Sequence, residues 1–217
     1  MSTPSTTTMA ARRLRTALAV GAAAAVSVVL VAAVPAAAQA SGGGGSPVVA
    51  DFAVLIDRAR CEAQAPLRAA MLPTAGNSVS GYVLMSPLWQ EETSTCLTSV
   101  KASLTDLPTP NVAHGLHIHT FGDTTKDDGT SAGGHFNPAE VEHALPHDAE
   151  RHVGDMGNIE AGSDGTAEYD QTSELISLPN VVGRSVVVHA DPDDGGQPTG
   201  NAGKRVAQGV LGYMQTE

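Results

Sequence analysis

The chain has 217 residues, and its 23 acidic and 12 basic side chains leave it with a net charge of −11. That excess favours solubility and leaves nucleic acid out as a partner, because binding it needs a basic patch. The length fits one large domain, or a smaller domain with appendages.

The N-terminus favours the second arrangement. Arg12, Arg13 and Arg15 precede the apolar run TALAVGAAAAVSVVLVAAV, which ends in Pro35 and the small residues AAAQA. A basic stretch, an apolar stretch and an A-x-A site form a secretory signal, with cleavage expected after Ala40. The run is nearly long enough to span a bilayer, so an uncleaved anchor is the alternative. Cleavage removes three arginines and leaves 9 basic residues against 23 acidic ones, a net charge of −14. The expected product is secreted or periplasmic, with no membrane contact once the signal is gone. SGGGGS at 41–46 reads as a flexible linker, and the mildly amphipathic segment 47–66 as an extension with a short helix. From Leu67 onward about 150 residues can bury one core. Cys61 and Cys96 are the only cysteines. In an exported chain an even count favours a disulfide, and neither lies near the histidines in sequence.

From Ser78 the pattern is that of an all-β protein. SVSGYVLMSP reads as a strand, and in LTSVKASLTDLP the residues Val100, Ala102 and Leu104 share one face. HGLHIHTF, TAEYDQ, LISL, RSVVVHA and RVAQGVLGYM are further strand candidates, separated by Gly, Asn, Asp and Pro. Many short strands without a long helical period predict a sandwich or barrel. Two segments, roughly 122–152 and 190–203, lack strand character and are long enough to be functional loops.

Histidines gather in and beside those loops. His117 and His119 sit two apart in a strand candidate, so both imidazoles leave the same face and can reach one ion. His189 ends another β-branched run. The loop GGHFNPAEVEHALPHDAERHVGD adds His135, His143, His147, His152 and Asp155. Imidazole-rich sites suit zinc, copper, iron or nickel, and an aspartate among them suits zinc. The spacing predicts one histidine metal site or two, without choosing metal or reaction. A metalloprotease helix carrying His143 and His147 is excluded: Pro146 lies between them, and no Glu follows His143.

Taken together, GLHIHTFGD, TSAGGHFNPAEVEH, RHVGDMGNI, VVVHADPDD and TGNAGKR resemble the eukaryotic-type copper/zinc superoxide dismutase family, over about residues 69–214. The resemblance implies an eight-stranded Greek-key β-barrel with two long functional loops. It implies copper on His117, His119, His135 and His189, and zinc on His135, His143, His152 and Asp155, with His135 as a shared bridge. Asp193 would accept hydrogen bonds from His117 and His143, with Asp194 as its competitor. Arg205 would draw in the anionic substrate, with Lys204 the other cation nearby. The implied reaction converts superoxide to dioxygen and hydrogen peroxide by Cu(II)/Cu(I) cycling, with His135 taking up a proton and zinc holding it in place. A homodimer and a copper-donor protein are the partners the resemblance suggests. A non-catalytic copper-transfer or storage domain of the same fold is the alternative. A copper-only variant is disfavoured by the intact zinc set.

The chain departs from that family in two ways. Gly129 and Gln208 stand where the family joins two cysteines, so its usual disulfide is expected to be missing and the metal loop looser. The segment ADPDDGGQP after His189 is shorter than the family's electrostatic loop, which predicts weaker substrate steering.

Overall fold

The computed structural model describes residues 47–215, with side chains from residue 54 onward; the expected signal segment lies outside them. Helix α1 (Pro47–Glu62) leads into β1 (Leu67–Pro73), β2 (Ser80–Gln90), β3 (Thr95–Thr105), β4 (Ala113–Ile118), β5 (Asp155–Glu160) and β6 (Ala167–Ser173). The one-turn helix α2 (Leu178–Val181), β7 (Ser185–His189), β8 (Arg205–Val210) and the two-residue β9 (Gly212–Tyr213) complete the order. No helix among the described residues is long and apolar enough to cross a membrane.

The strands hydrogen-bond in the order β5-β4-β7-β8-β1-β2-β3-β6, with β9 beside β1, and every pairing is antiparallel. This is a nearly closed Greek-key barrel, as the resemblance implied. Period-two alternation builds its core. Leu67, Ala69 and Met71 of β1, Val83 and Met85 of β2, and Val100, Ala102 and Leu104 of β3 all point inward. Opposite them, Leu116 and Ile118 of β4 and Val186 and Val188 of β7 join the same core.

That register decides where the chemistry sits. With Leu116 and Ile118 inward, His117 and His119 must leave the outer face of β4. Val187 and His189 likewise leave the outer face of β7, where His117 pairs with Val187. The outer face of these two strands is nevertheless buried, because the long connections β4–β5 and β7–β8 cover it. Strands covered on both faces read as continuous apolar runs, which is why RSVVVHA carries so little polarity.

LISL is not a strand: Pro179 falls in the first turn of α2, where a missing N–H costs nothing. Ile176 and Leu178 still plug the core as isolated apolar residues. Strands β1 and β5 complete the barrel although neither LRAAMLP nor DMGNIE advertised itself.

One disulfide is present, Cys61–Cys96, with Cα atoms 5.6 Å apart. The expectation of a chain without the family's disulfide is corrected to that extent. Helix α1 packs along β2 and β3, which brings the cysteine near its C-terminal end against the first residues of β3. Closing a loop of 35 residues contributes about 3–4 kcal/mol in the chain-entropy model. The Cys61→Ser/Cys96→Ser pair should therefore melt roughly 10 °C lower while keeping its metal content; an unchanged melting temperature would show the bridge to be idle.

The edges β5 and β6 do not hydrogen-bond as strands. Tyr169 crosses this seam, its hydroxyl donating to the Met156 carbonyl at 2.7 Å. Burial pushes the phenol up to about 12. A raised native pKa means the tyrosine's contribution is complete below about pH 10, the unfolded value, and is lost as pH rises towards 12. Alkaline denaturation followed by circular dichroism should thus steepen between those values in the wild type and less so in Tyr169→Phe.

Candidate metal centre

Two nests of ligand atoms adjoin each other on the outer face of β4 and β7. His117, His119, His135 and His189 form one; His135, His143, His152 and Asp155 form the other, each set with its atoms within 4.8 Å of one another and buried. His119 and His135 meet in a one-residue antiparallel bridge, which sews the loop to the end of β4. His147, by contrast, points to solvent.

The hydrogen bonds fix which ring nitrogen is free. His117 Nε2–H donates to Asp193 Oδ2 at 2.9 Å, His119 Nδ1–H to the Gly133 carbonyl at 2.9 Å, and His189 Nδ1–H to the Gly203 carbonyl at 3.2 Å. In the second nest His143 Nε2–H donates to Asp193 Oδ1 at 2.9 Å, and His152 Nε2–H to the Val141 carbonyl at 3.1 Å. Each of these rings has spent its proton outward, so its other nitrogen presents a lone pair inward.

Those lone pairs conflict unless a cation joins them. His119 Nε2 and His189 Nε2 face each other at 3.3 Å with no proton left to share. His117 Nδ1, His135 Nε2 and His143 Nδ1 are buried with no hydrogen-bond partner. His143 Nδ1 lies 3.0 Å from Asp155 Oδ2, without the alignment of a hydrogen bond. Asp155 Oδ1 is 2.8 Å from His135 Nδ1 and 3.0 Å from His152 Nδ1. Three imidazoles and a carboxylate converging in this way suit a tetrahedral divalent ion, and four imidazoles suit copper or zinc. His135 differs from the other histidines in having one nitrogen in each nest.

Electrostatics follow the same layout. Burial holds His135 down to about 4 against the opposing hydrogen bond of Asp155, and His189 down to about 3 with the His117 charge adding to the effect. Both rings are therefore neutral ligands at neutral pH. Burial favours the acid form of Asp193, but hydrogen bonds from His117, the Gly195 amide and His143 outweigh it and hold the carboxyl well below its usual range. Its backbone is pinned by Asn158, which accepts from the Asp193 amide at 2.7 Å and donates to its carbonyl at 2.9 Å. Asp194 instead takes the Gly196 amide and the Asn201 side chain, so it does not compete for the histidines. Gly200 lets the second loop pass this carboxylate: a Cβ there would sit 2.0 Å from Asp193 Oδ1.

Two positioning residues escaped the sequence reading. Gln197 clamps His143 from both sides, accepting from its amide at 3.1 Å and donating to its carbonyl at 2.7 Å. The buried ring of His114 donates from Nδ1 to the His189 carbonyl at 2.9 Å. A long uncharged side chain in an otherwise acidic and glycine-rich loop was the available signal for Gln197. His114 carried none beyond its strand.

Arg205 is half-buried, and its guanidinium donates to the carbonyls of Gly129 and Gly133. Burial lowers its pKa while Asp128 opposes that shift, and an arginine so perturbed remains a cation. The arginine is thus oriented by main-chain oxygens although residues 129 and 208 cannot be bridged. Gln208 fills the place beside Gly129, its Oε1 3.3 Å from where a Cβ would stand. His135 and His189 are 7% and 6% exposed, against 0% and 1% for His117 and His119. Solvent therefore reaches the first nest along the His135–His189 side.

An antiparallel barrel bearing two adjoining nests, joined by a histidine that serves both, defines a dinuclear metalloprotein built on imidazole. Residues 79–211 match the family described as copper/zinc superoxide dismutase. The chain is also 47% identical over 131 residues to "Superoxide dismutase [Cu-Zn] 2" of Mesembryanthemum crystallinum, a match covering 56% of this chain and 82% of that protein. The chain belongs to the copper/zinc superoxide dismutase family, oxidoreductases whose cofactors are copper and zinc.

Proposed function

We propose that this chain disproportionates superoxide, with copper held by His117, His119, His135 and His189, and zinc by His135, His143, His152 and Asp155. The observation that carries the reading is His135, a buried ring with one nitrogen in each nest and no hydrogen-bond partner for Nε2. Copper in the first nest supplies the one-electron chemistry by which one superoxide is oxidised to dioxygen and a second is reduced, with two protons, to hydrogen peroxide.

The chain's own residues do the rest. Arg205 presents a fixed cation beside the open side of the first nest, attracting and orienting the anion in a body whose overall charge repels it. Lys204 extends that positive edge. Such a local field prevails only within the screening length of about 8–10 Å. His135 Nε2 is the atom positioned to hold a proton and return it to reduced substrate. Asp193 sets the tautomers of His117 and His143 together, and so couples the shape of the two nests.

Metal analysis of the purified protein, paired with inhibition of superoxide-driven dye reduction, tests this function. The expected result is one copper and one zinc per chain with strong inhibition. Two metals without inhibition would replace the enzyme with a copper-storage or transfer domain, and copper without zinc would remove the second nest from the reading.

Export through the N-terminal signal is part of the proposal, supported by the Cys61–Cys96 bond, which persists in oxidising compartments. Mass spectrometry of the exported protein should find Ser41 at its N-terminus; an intact Met1 would overturn cleavage. A homodimer is the proposed assembly, supported by the exposed apolar side chains of Leu72, Phe121 and Val210. Leu72 and Val210 line one shallow depression, and sedimentation showing only monomer would remove this partner. A copper-donor protein is proposed as the source of the metal, and full copper loading in cells without one would dispense with it.

A further inference from the structure

The open seam between β5 and β6 contains a cavity of about 360 Å³ that the metal chemistry does not use. Asn158 lines it from β5, while Tyr169, Gln171 and Ser173 line it from alternate positions of β6. Arg151, from the loop between His143 and His152, completes the wall.

Arg151 is only partly satisfied. Its Nη1 donates to the Asp148 carbonyl at 2.6 Å, whereas Nε is buried without an acceptor. Among the described residues no carboxylate oxygen lies within 4.0 Å of the guanidinium. Asp155 borders the cavity, but its oxygens are taken up by His135, His152 and the Ala144 amide. A half-buried cation without a counter-charge is costly.

Two of the lining side chains, Ser173 and Gln171, have donors to offer. Ser173 Oγ already accepts from the amides of Leu175 and Ile176, both at 3.2 Å, which leaves its proton free. The Gln171 amide adds two N–H groups. A guanidinium flanked by hydroxyl and amide donors complements a small oxyanion. We propose that the β5–β6 seam binds a small oxyanion of the phosphate or carboxylate class, with Arg151 as its charge partner. Arg151 directly precedes His152, so the bound anion would brace the metal loop from the side away from the copper nest. Arg205 is held by other carbonyls and lines a different depression, so the two cations act separately.

Calorimetric titration of the metal-loaded protein at constant ionic strength tests the site, with inorganic phosphate in one series and acetate in another. Saturable binding of at least one anion is expected, retained in Arg205→Gln and weakened about ten-fold or more in Arg151→Gln. If Arg151→Gln fails to fold, Gln171→Glu decides: its new carboxylate would occupy Arg151 and abolish anion binding while dismutase activity stays unchanged. Binding of neither anion overturns the proposal. So does binding that persists in Arg151→Gln or in Gln171→Glu, or whose loss is confined to Arg205→Gln.

Discussion

Asp193→Asn should lower zinc affinity by about ten- to a hundred-fold and perturb the nest proposed for copper in the same step. The carboxylate accepts one N–H from His117 and one from His143. An asparagine offers a single acceptor oxygen, and its amide nitrogen would face the other ring's N–H, donor against donor. That ring escapes by moving its proton to Nδ1, the nitrogen turned into the nest, and can no longer serve as a ligand there. The substitution keeps the volume and the Asn158 clamp on the backbone, so the fold should survive. Competition with a chromogenic zinc chelator reads the first effect, and the visible absorption of the copper-loaded protein reads the second. Zinc affinity within two-fold of wild type would mean that Asp193 does not set the ring tautomers.

Removing zinc is expected to lower the melting temperature by about 10 °C. An ion present at a thousand times its dissociation constant stabilises the fold by about 4 kcal/mol, and each kcal/mol moves a domain of this size by roughly 2–4 °C. The metal-free nest is left with the lone pair of His143 Nδ1 against the Asp155 carboxylate, and with His135 Nε2 unsatisfied. The connection from Thr120 to Gly154 has no strand of its own, only a short 3-10 turn at Thr130–Ala132. Nor is there a covalent tether at Gly129 and Gln208 to hold it. Scanning calorimetry of metal-free and zinc-loaded protein decides the matter. Coincident transitions would show that the loop is ordered without the metal.

Much of the centre was readable because strand alternation is rigid. Once HGLHIHTF is a strand with Leu116 and Ile118 inward, His117 and His119 share the outer face by geometry alone. The division of the loop histidines between two nests was not readable in that way. His135 and His152 are far apart along a segment without periodicity, and only the family resemblance assigned them. Strand β5 was missed because DMGNIE opens on a buried aspartate and contains Gly157 at φ 75°, both contrary to strand composition. LISL misled for the opposite reason: it has strand composition, but Pro179 and the turn before α2 leave Ile176 and Leu178 to pack one at a time. The arginine clamp was hidden more deeply, because carbonyl oxygens belong to every residue and leave no mark on residue identity. What marks it is the path of the main chain, and Gly129 and Gly133, at φ 76° and 79°, set that path.

The position of the disulfide has a bearing on how the protein responds to its surroundings. Cys61 and Cys96 fasten α1 to β3, whereas Arg205 and both nests hang from β4, β5, β7, β8 and their loops. A thiol reductant would therefore loosen the N-terminal brace without touching the guanidinium or the ligand nitrogens. Changes in ambient redox poise would shorten the molecule's lifetime while leaving the turnover of each surviving copy the same.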